Sequence, residues 1–225
     1  SSLVGSEMCI RDSEYRELNL SNPPKFIWAN SSQQAREIVS SETEVDMIIC
    51  MFNEQDKGIF PFASELKEEG RGIPFVLLIH YSKAVRQRVL ESPHPGVDFV
   101  FSWHGNADLI LAIVKLLEDA ANADNDVFEV GVKGILLVED SIRYYSNYLP
   151  ELYKIVLTQS REFLKESLNE DQKKYRKRSR PKIFLATCLE EALAYFKKYG
   201  RNLLGVISDV GMVVHKGDDL SLIHI

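Results

Sequence analysis

Three carboxylates follow two apolar runs of the chain, and together they have the chemistry of a magnesium site. Glu139 and Asp140 come directly after the run ILLV at residues 135–138, and Asp209 follows the run LLGVIS at residues 203–208. Short apolar runs of this kind are typical of buried strands in a parallel sheet. The carboxyl ends of such strands meet at one edge of the sheet, where open α/β folds place their chemistry. We therefore expect the three side chains to converge.

The expected chemistry is the transfer of a phosphoryl group to a carboxylate beside Mg²⁺. Carboxylate oxygens are the hard ligands that Mg²⁺ prefers, and a bound cation would relieve the repulsion between neighbouring acids. We assign Asp209 as the nucleophile, Asp140 as a direct metal ligand, and Glu139 as a ligand that acts directly or through a water. The backbone carbonyl of Gly211 would supply a further ligand. The alternative is that Glu139 and Asp140 merely begin a helix, where the helix dipole favours acids.

Strand and helix patterns alternate along the chain, which predicts repeated parallel βα units. Residues 123–132 are polar and acidic, and we interpret them as a linker between two domains. The patterns before the linker predict strands at residues 25–29, 45–52, 74–80 and 97–102, and helices at 31–41, 57–69, 82–91 and 106–121. Those after it predict strands at 133–138, 182–186 and 203–208, and helices at 141–149, 151–168 and 189–199, the first two separated by a kink or restart at Pro150.

The two halves of the chain share a sequence repeat. PKFIWANSSQQA begins at Pro24 and PKIFLATCLEEA at Pro181, and with one inserted residue VDMIICMF then aligns with LLGVISDV. Self-similarity of this kind indicates two copies of one α/β unit. In this alignment Met51 takes the place of Asp209, so the first copy has no oxygen nucleophile at that position.

The motif ILLVEDS, with the later GVISDV, resembles the receiver domain of two-component response regulators. In that family an acidic pair ends the first strand and a phosphoacceptor aspartate ends the third. The resemblance implies a flavodoxin-like parallel sheet in the order 2-1-3-4-5, with helices on both faces. Residues 133–219 would hold strands one to three of a receiver domain that is truncated after strand three. Residues 14–122 would form a degenerate receiver-like domain that lacks its first strand.

The first copy departs from the family's pattern at every functional position. Met51 stands at the acceptor position, His80 where the family has a hydroxyl residue, and Ser102-Trp103 where it has lysine and proline. The second copy ends before the strands that would carry its own hydroxyl and lysine. We expect strand two of the first copy to lack a neighbour, strand three of the second to be an exposed edge, and the fragment to be marginally stable or prone to aggregate.

The resemblance implies a role in phosphorelay signal transduction. A histidine kinase or phosphotransfer protein would phosphorylate Asp209, and the phosphorylated state would regulate a covalently attached effector domain outside this sequence. The tandem arrangement also resembles the N-terminal part of bacterial phosphoenolpyruvate synthase or pyruvate phosphate dikinase-like proteins. The helix at 151–168 is an insertion relative to the family, and we expect it to support a homodimer. Two alternatives stay open: a docking scaffold that is never phosphorylated, and a Mg²⁺-dependent aspartyl phosphatase, although Gly211 stands where that class has a second aspartate.

Composition limits the other functions open to this chain. Its 225 residues carry a net charge of −6, which argues against nucleic acid as the main partner. No run is long enough to span a membrane and no signal peptide is visible, so we expect a cytoplasmic protein with reduced cysteines. A basic cluster is interpreted as a solvated loop rather than a phosphate or RNA site, and it comprises Lys173, Lys174, Arg176, Lys177, Arg178 and Arg180.

Both ends of the chain resemble translated sequencing adapter. EMCIRDS at residues 7–13 and LSLIHI at residues 220–225 back-translate to DNA strings that are reverse complements over most of their length. Two unrelated termini do not share one inverted repeat by accident. We therefore interpret residues 1–13 and 220–225 as adapter-derived and expect the natural sequence to be an internal fragment of a longer protein.

Overall fold

Two separate sheets organise the protein. The computed structural model describes residues 25–41, 44–80, 82, 95–165, 180–209, 211–212 and 223–224. Its backbone contacts divide the chain into a first unit, Pro24–Gly105, and a second unit that includes Asn106–Ile225. Each unit contains a three-stranded sheet whose strands are all parallel. The α/β class predicted from the sequence is therefore confirmed.

The first unit is built around a buried central strand. The first five residues of this strand, Phe75–Ile79, are at most 3% exposed, because strands pair on both sides of it. Ser31 caps the first helix by accepting a hydrogen bond from the Gln34 backbone N–H. The elements are α1 (Ser32–Ser40), β1 (Ile48–Met51), α2 (Ile59–Glu68), β2 (Phe75–His80) and β3 (Phe99–Trp103), with the sheet order β1-β2-β3.

The second unit has a different strand order. Its central strand is the first in the chain, and the next two strands pair on either side of it. This strand is the apolar run that precedes Glu139, and Leu136, Leu137 and Val138 are each at most 2% exposed. The elements are α3 (Asp108–Asp124), a π-helical turn (Asn125–Glu129), β4 (Gly134–Val138), α4 (Ile142–Lys165), β5 (Lys182–Ala186), α5 (Leu189–Tyr199), a 3₁₀ turn (Gly200–Asn202) and β6 (Leu203–Ser208), with the sheet order β5-β4-β6.

The full flavodoxin-like sheet of five strands in the order 2-1-3-4-5 is not present in the described residues. Each of the two parallel sheets has three strands, and the strand predicted at residues 25–29 is not formed. A single strand leaves its backbone groups unpaired, so an apolar pattern alone does not make it a strand. The helix predicted at residues 82–91 lies outside the described residues, apart from Ser82.

Pro150 does not end or restart the helix in which it lies. α4 is continuous from Ile142 to Lys165. Proline removes one backbone donor, but residues on one face of the helix beside it are buried: Leu149 is 0% and Tyr153 is 1% exposed. This packing helps to stabilise the helix through the proline. The predicted restart was wrong, whereas a kink at Pro150 stays a prediction.

The segment interpreted as a linker belongs to the second unit. Residues 123–129 continue α3 and form the π-helical turn, and Val127 is 1% exposed. Backbone contacts place the boundary between the units at Gly105, before α3, whereas the sequence predicted it after residue 122. Asp124 pairs with Lys198 and Asp126 pairs with Lys182, so the polarity of this segment does not indicate a solvated linker.

Asp119 on α3 covers the free edge of β5. The backbone N–H of Ile183 points away from β4 and donates to Asp119 Oδ2 over 3.1 Å. Arg180 donates to both oxygens of Asp119, over 2.6 and 3.0 Å, and the Tyr153 hydroxyl donates to Oδ2 over 3.0 Å. Lys182 Nζ lies 3.5 Å from the same carboxylate, whose side chain is fully buried. This edge strand therefore has no free donor at Ile183 for another chain to pair with.

The opposite edge of the same sheet is exposed. Three apolar residues of β6 remain open to solvent: Leu204 is 62%, Val206 47% and Ile207 45% exposed. They point to different faces because side chains alternate along a strand. The exposed edge agrees with the expectation that strand three of the second copy lies at the end of its sheet.

Candidate functional site

Backbone hydrogen bonds position the acids at the carboxyl end of the second sheet. The N–H of Glu139 donates to the Ala186 carbonyl over 3.0 Å, one residue beyond the end of β4. The N–H of Asp209 donates to the Val138 carbonyl over 3.1 Å, one residue beyond the end of β6. The pattern of parallel backbone hydrogen bonds therefore continues past the ends of both strands. It holds Glu139 and Asp209 on neighbouring segments of the chain.

The three carboxylates predicted from the sequence come together at this edge. One oxygen from each of Glu139, Asp140 and Asp209 lies within 4.8 Å of the other two. Glu139 is buried, Asp140 is half-buried and Asp209 is exposed. The site thus has one buried carboxylate, one half-buried carboxylate and one that faces solvent. A ligand could therefore reach the cluster from the side of Asp209.

A backbone hydrogen bond fixes the position of the Glu139 carboxylate. Its carboxylate accepts a hydrogen bond from the Ser141 N–H over 3.1 Å. Burial raises the pKa of Glu139, the Ser141 hydrogen bond opposes that rise, and the negative charges of Asp209 and Asp140 add to it. A cation placed among the three groups would remove the charge repulsion that contributes to this shift.

The spacing of these oxygens would let one cation contact all three carboxylates, and acidic groups on protein surfaces are also common without an ion. Which of the three carboxylates would hold Mg²⁺ stays a prediction. The cluster is the only such group of His, Cys, Asp and Glu side chains among the described residues.

Gly211 lies two residues beyond the cluster. It belongs to a two-residue strand, β7 (Gly211–Met212), which pairs antiparallel with β8 (Ile223–His224). Residues 223–224 belong to the C-terminal segment that we interpret as adapter-derived. The role of the Gly211 carbonyl as a metal ligand stays a prediction.

Thr187 is a feature of this edge that the sequence analysis missed. It follows β5, and both its backbone N–H and its hydroxyl donate to Glu191 Oε2, over 2.7 and 3.0 Å. This contact joins the end of β5 to the first turn of α5. The spacing of four residues does not match the usual capping box, in which Glu follows the capping Ser or Thr by three residues, so no clear signal in the sequence predicts this contact.

The same edge of the first sheet has different chemistry. Met51 ends β1 and is 38% exposed, and the exposed His80 ends β2. Near the end of β3, Ser102 Oγ lies 3.1 Å from His104 Nε2. A methionine thioether is not a nucleophile toward phosphoryl groups, so this edge lacks the chemistry predicted for the second unit.

Arg180 shows that part of the predicted basic cluster has a structural role. Its guanidinium is 9% exposed and pairs with Asp119, so it is not available to a phosphate or an RNA backbone. The other five basic residues of that cluster lie outside the described residues.

The two described cysteines carry no disulfide. Cys50 and Cys188 are both free thiols. Burial, with a smaller contribution from Asp56, raises the pKa of Cys50 to about 11, so this thiol stays protonated at neutral pH. Cys188 is 1% exposed. Both cysteines are at least partly buried, as expected, and their reduced state stays a prediction.

Comparison with protein-family models, with curated proteins and with solved structures finds no match to this chain. Among the described residues, no helix is both long enough and apolar enough to cross a membrane. The fold and the carboxylate cluster are therefore the basis for a functional proposal.

Proposed function

We propose that the second unit is a receiver-like domain that accepts a phosphoryl group on Asp209 in a Mg²⁺-dependent reaction. The observation that carries this proposal is the convergence of Glu139, Asp140 and Asp209 within 4.8 Å at the carboxyl end of a parallel sheet. The sequence alone selects the same three residues. A cluster of acids that repel one another costs stability, and such a cost is expected where a site serves function rather than folding.

The strand order of the second unit supports this proposal. Its three strands lie in the order second-first-third along the sheet, because β4 pairs with both β5 and β6. This is the arrangement that the first three strands of a receiver domain would have. The acidic pair then ends the central strand and Asp209 ends its neighbour, so that both face the same edge.

In the proposed reaction an oxygen of the Asp209 carboxylate attacks the phosphorus of a phosphohistidine. The P–O bond forms as the P–N bond breaks, and the imidazole leaves as a neutral ring because its other nitrogen carries a proton in the phosphohistidine, so the products are an acyl phosphate and a neutral histidine. Mg²⁺, when bound, would offset the negative charge on the phosphoryl oxygens. The backbone hydrogen bond from Asp209 to Val138 holds the nucleophile in place. Glu139, fixed by the Ser141 N–H, keeps its carboxylate directed at the cluster.

The proposed partners follow from this chemistry. The donor is a histidine kinase or a phosphotransfer protein, and the output is an effector domain attached to this chain. The first unit, which has Met51 at the corresponding position, would contribute contacts rather than phosphorylation. The second candidate function is a docking scaffold that is never phosphorylated, and the exposed apolar residues of β6 favour it.

The test is phosphorylation by a small-molecule donor. We expect the intact chain to gain one phosphoryl group by mass spectrometry after incubation with acetyl phosphate and Mg²⁺. This gain should be absent with a chelator and absent in Asp209→Asn. Asp124→Asn removes an exposed carboxylate that pairs with Lys198, and it serves as the matched control.

Binding of a phosphoryl analogue distinguishes the two candidates. Beryllofluoride with Mg²⁺ should raise the melting temperature of the wild-type chain and leave that of Asp209→Asn unchanged. Phosphorylation of Asp209→Asn at the wild-type level, or no response of the wild-type chain to either reagent, would overturn the receiver proposal in favour of the scaffold.

A further inference from the structure

One face of α4 is exposed along most of the helix. The opposite face is buried and includes Tyr145, Leu149, Tyr153 and Val156. Exposed positions recur at intervals of three and four residues, so they form a continuous stripe on the helix surface. The residues of this stripe are Arg143, Tyr144, Asn147, Tyr148, Glu151, Lys154, Ile155, Thr158, Gln159 and Glu162.

The stripe contains large apolar groups in an ordered arrangement. Tyr144 and Tyr148 are each 46% exposed and Ile155 is 54% exposed. The two tyrosine rings stack with centroids 6.0 Å apart and planes 10° apart, and the Arg143 guanidinium lies 5.9 Å from the Tyr144 centroid. Tyrosine and arginine are enriched in protein interfaces, because they combine contact area with directed polar groups.

The charges of the stripe are arranged symmetrically about the middle of the helix. Arg143 and Glu162 lie at equal distances in sequence from the point between residues 152 and 153, and so do Glu151 and Lys154. Within each pair the two charges have opposite sign. If two copies of the helix pack antiparallel about this point, Arg143 and Glu151 of one copy lie at the same level along the helix axis as Glu162 and Lys154 of the other, so opposite charges come close together. Parallel packing in register would instead place like charges together.

We propose that the exposed stripe of α4 is an interface with a second copy of this chain, in which the two helices pack antiparallel about a two-fold axis. The apolar contribution comes from Tyr144, Tyr148 and Ile155, and the charge pattern selects the orientation. A two-fold axis makes each contact occur twice, so a small number of residues supplies a symmetric interface.

The antiparallel orientation has a consequence for the carboxylate sites. α4 begins two residues after Asp140, so each site lies at the N-terminal end of its helix. Two antiparallel helices of this length, about 36 Å, would place the two sites at opposite ends of the interface. Each site would then stay open to its own partner. The inference does not depend on phosphorylation of Asp209.

A charge-swap experiment on the full chain tests the orientation. Sedimentation velocity over a series of concentrations should show a monomer–dimer equilibrium. Arg143→Glu should raise the dissociation constant about tenfold, because it faces Glu162 with a like charge in two places. Glu162→Arg should do the same, and the double variant R143E/E162R should restore the wild-type dissociation constant.

The controls separate this interface from others and from misfolding. Glu68→Arg reverses an exposed charge on α2, outside the stripe, and should leave the dissociation constant unchanged. Tyr148→Ser should weaken the dimer, while the circular dichroism spectrum stays that of the wild type. A chain that is monomeric at every concentration overturns the proposal, and so does a double variant that remains as weak as the single variants.

Discussion

The two sides of the second sheet use acidic residues in opposite ways. On the β5 side, Asp119 is fully buried and receives hydrogen bonds from Arg180, Tyr153 and the Ile183 backbone. On the β6 side, Asp209 is exposed, and its charge contributes to raising the pKa of Glu139. One carboxylate is surrounded by donors and cations, whereas the other lies among carboxylates.

The difference separates a structural carboxylate from a candidate functional one. A buried charge is tolerated only when its partners compensate for the lost hydration, and Asp119 meets that condition. The cluster at Glu139, Asp140 and Asp209 places like charges together instead, and this repulsion contributes to the raised pKa of Glu139. We expect Asp119 to control the stability of the fold and the carboxylate cluster to control ligand binding.

The largest effect is expected from Asp119→Ala. The side chains of Arg180 and Lys182 are only 9% and 8% exposed, and both lose a charged partner when the Asp119 carboxylate is removed. Removing one partner of a buried ion pair costs about 3–5 kcal/mol. The free energy of unfolding, measured by urea denaturation followed by circular dichroism, should fall by that amount.

A matched control is available on the same helix. Asp124 pairs with Lys198, but their side chains are 63% and 50% exposed. Asp124→Ala should therefore change the free energy of unfolding far less than Asp119→Ala. Equal losses in the two variants would mean that burial of Asp119 is not what makes it important.

A smaller effect is expected from Tyr153→Phe. The variant keeps the buried ring and removes only the hydroxyl that donates to Asp119 over 3.0 Å. Loss of a hydrogen bond to a charged group costs about 1.5 kcal/mol, since Asp119 keeps its other donors. In a double-mutant cycle with Asp119→Ala the two losses should not add, because both variants remove the same bond. Strictly additive losses would contradict the proposed contact.

Much of the second unit could be predicted because its signals are local. β5 and α5 have the bounds predicted from apolar periodicity and from the residues at their ends. The site could be predicted for a related reason: carboxylates that directly follow apolar strands have to lie at the carboxyl edge of a parallel sheet. Neither inference needs information about distant contacts.

The contacts of Asp119 could not be predicted from local patterns. Arg180 is 61 residues away in sequence and appeared to belong to a solvated basic loop. The acidic residues after Asp119 likewise resembled a linker, whereas Asp126 forms a 2.5 Å ion pair with Lys182. One signal was present: Asp119 lies three residues after the buried Leu116, on the apolar face of α3, where an acid requires a partner.

Glu139→Gln tests whether burial and the neighbouring carboxylates disfavour the ionised form of Glu139. The folded pKa of Glu139 is raised above its ordinary value of 4.5, so the protonated form favours folding. Its contribution to stability is present below pH 4.5 and is lost as the pH rises through the folded pKa. Glu139→Gln should therefore gain stability relative to wild type as the pH rises, in urea denaturation between about pH 4 and pH 8.

Magnesium should reverse this difference if the cluster binds the ion. Added Mg²⁺ stabilises the folded state by an amount that increases with its affinity, and Glu139→Gln has one carboxylate fewer to hold the ion. At neutral pH the wild-type chain should gain more stability from Mg²⁺ than the variant does. A difference between the two proteins that stays constant with pH would show that burial and the neighbouring carboxylates do not raise the pKa of Glu139.

The smallest effect on stability is expected from Leu204→Lys at the open edge. Leu204 is 62% exposed, so its replacement should change the free energy of unfolding by no more than about 0.5 kcal/mol. A lysine on an edge strand opposes pairing with the edge of another molecule, because two like charges would meet there. Light scattering during prolonged incubation should show slower aggregation of the variant than of the wild-type chain. Equal aggregation rates would mean that the β6 edge does not direct association between molecules. The covered β5 edge and the open β6 edge would then not differ in their tendency to pair with another molecule.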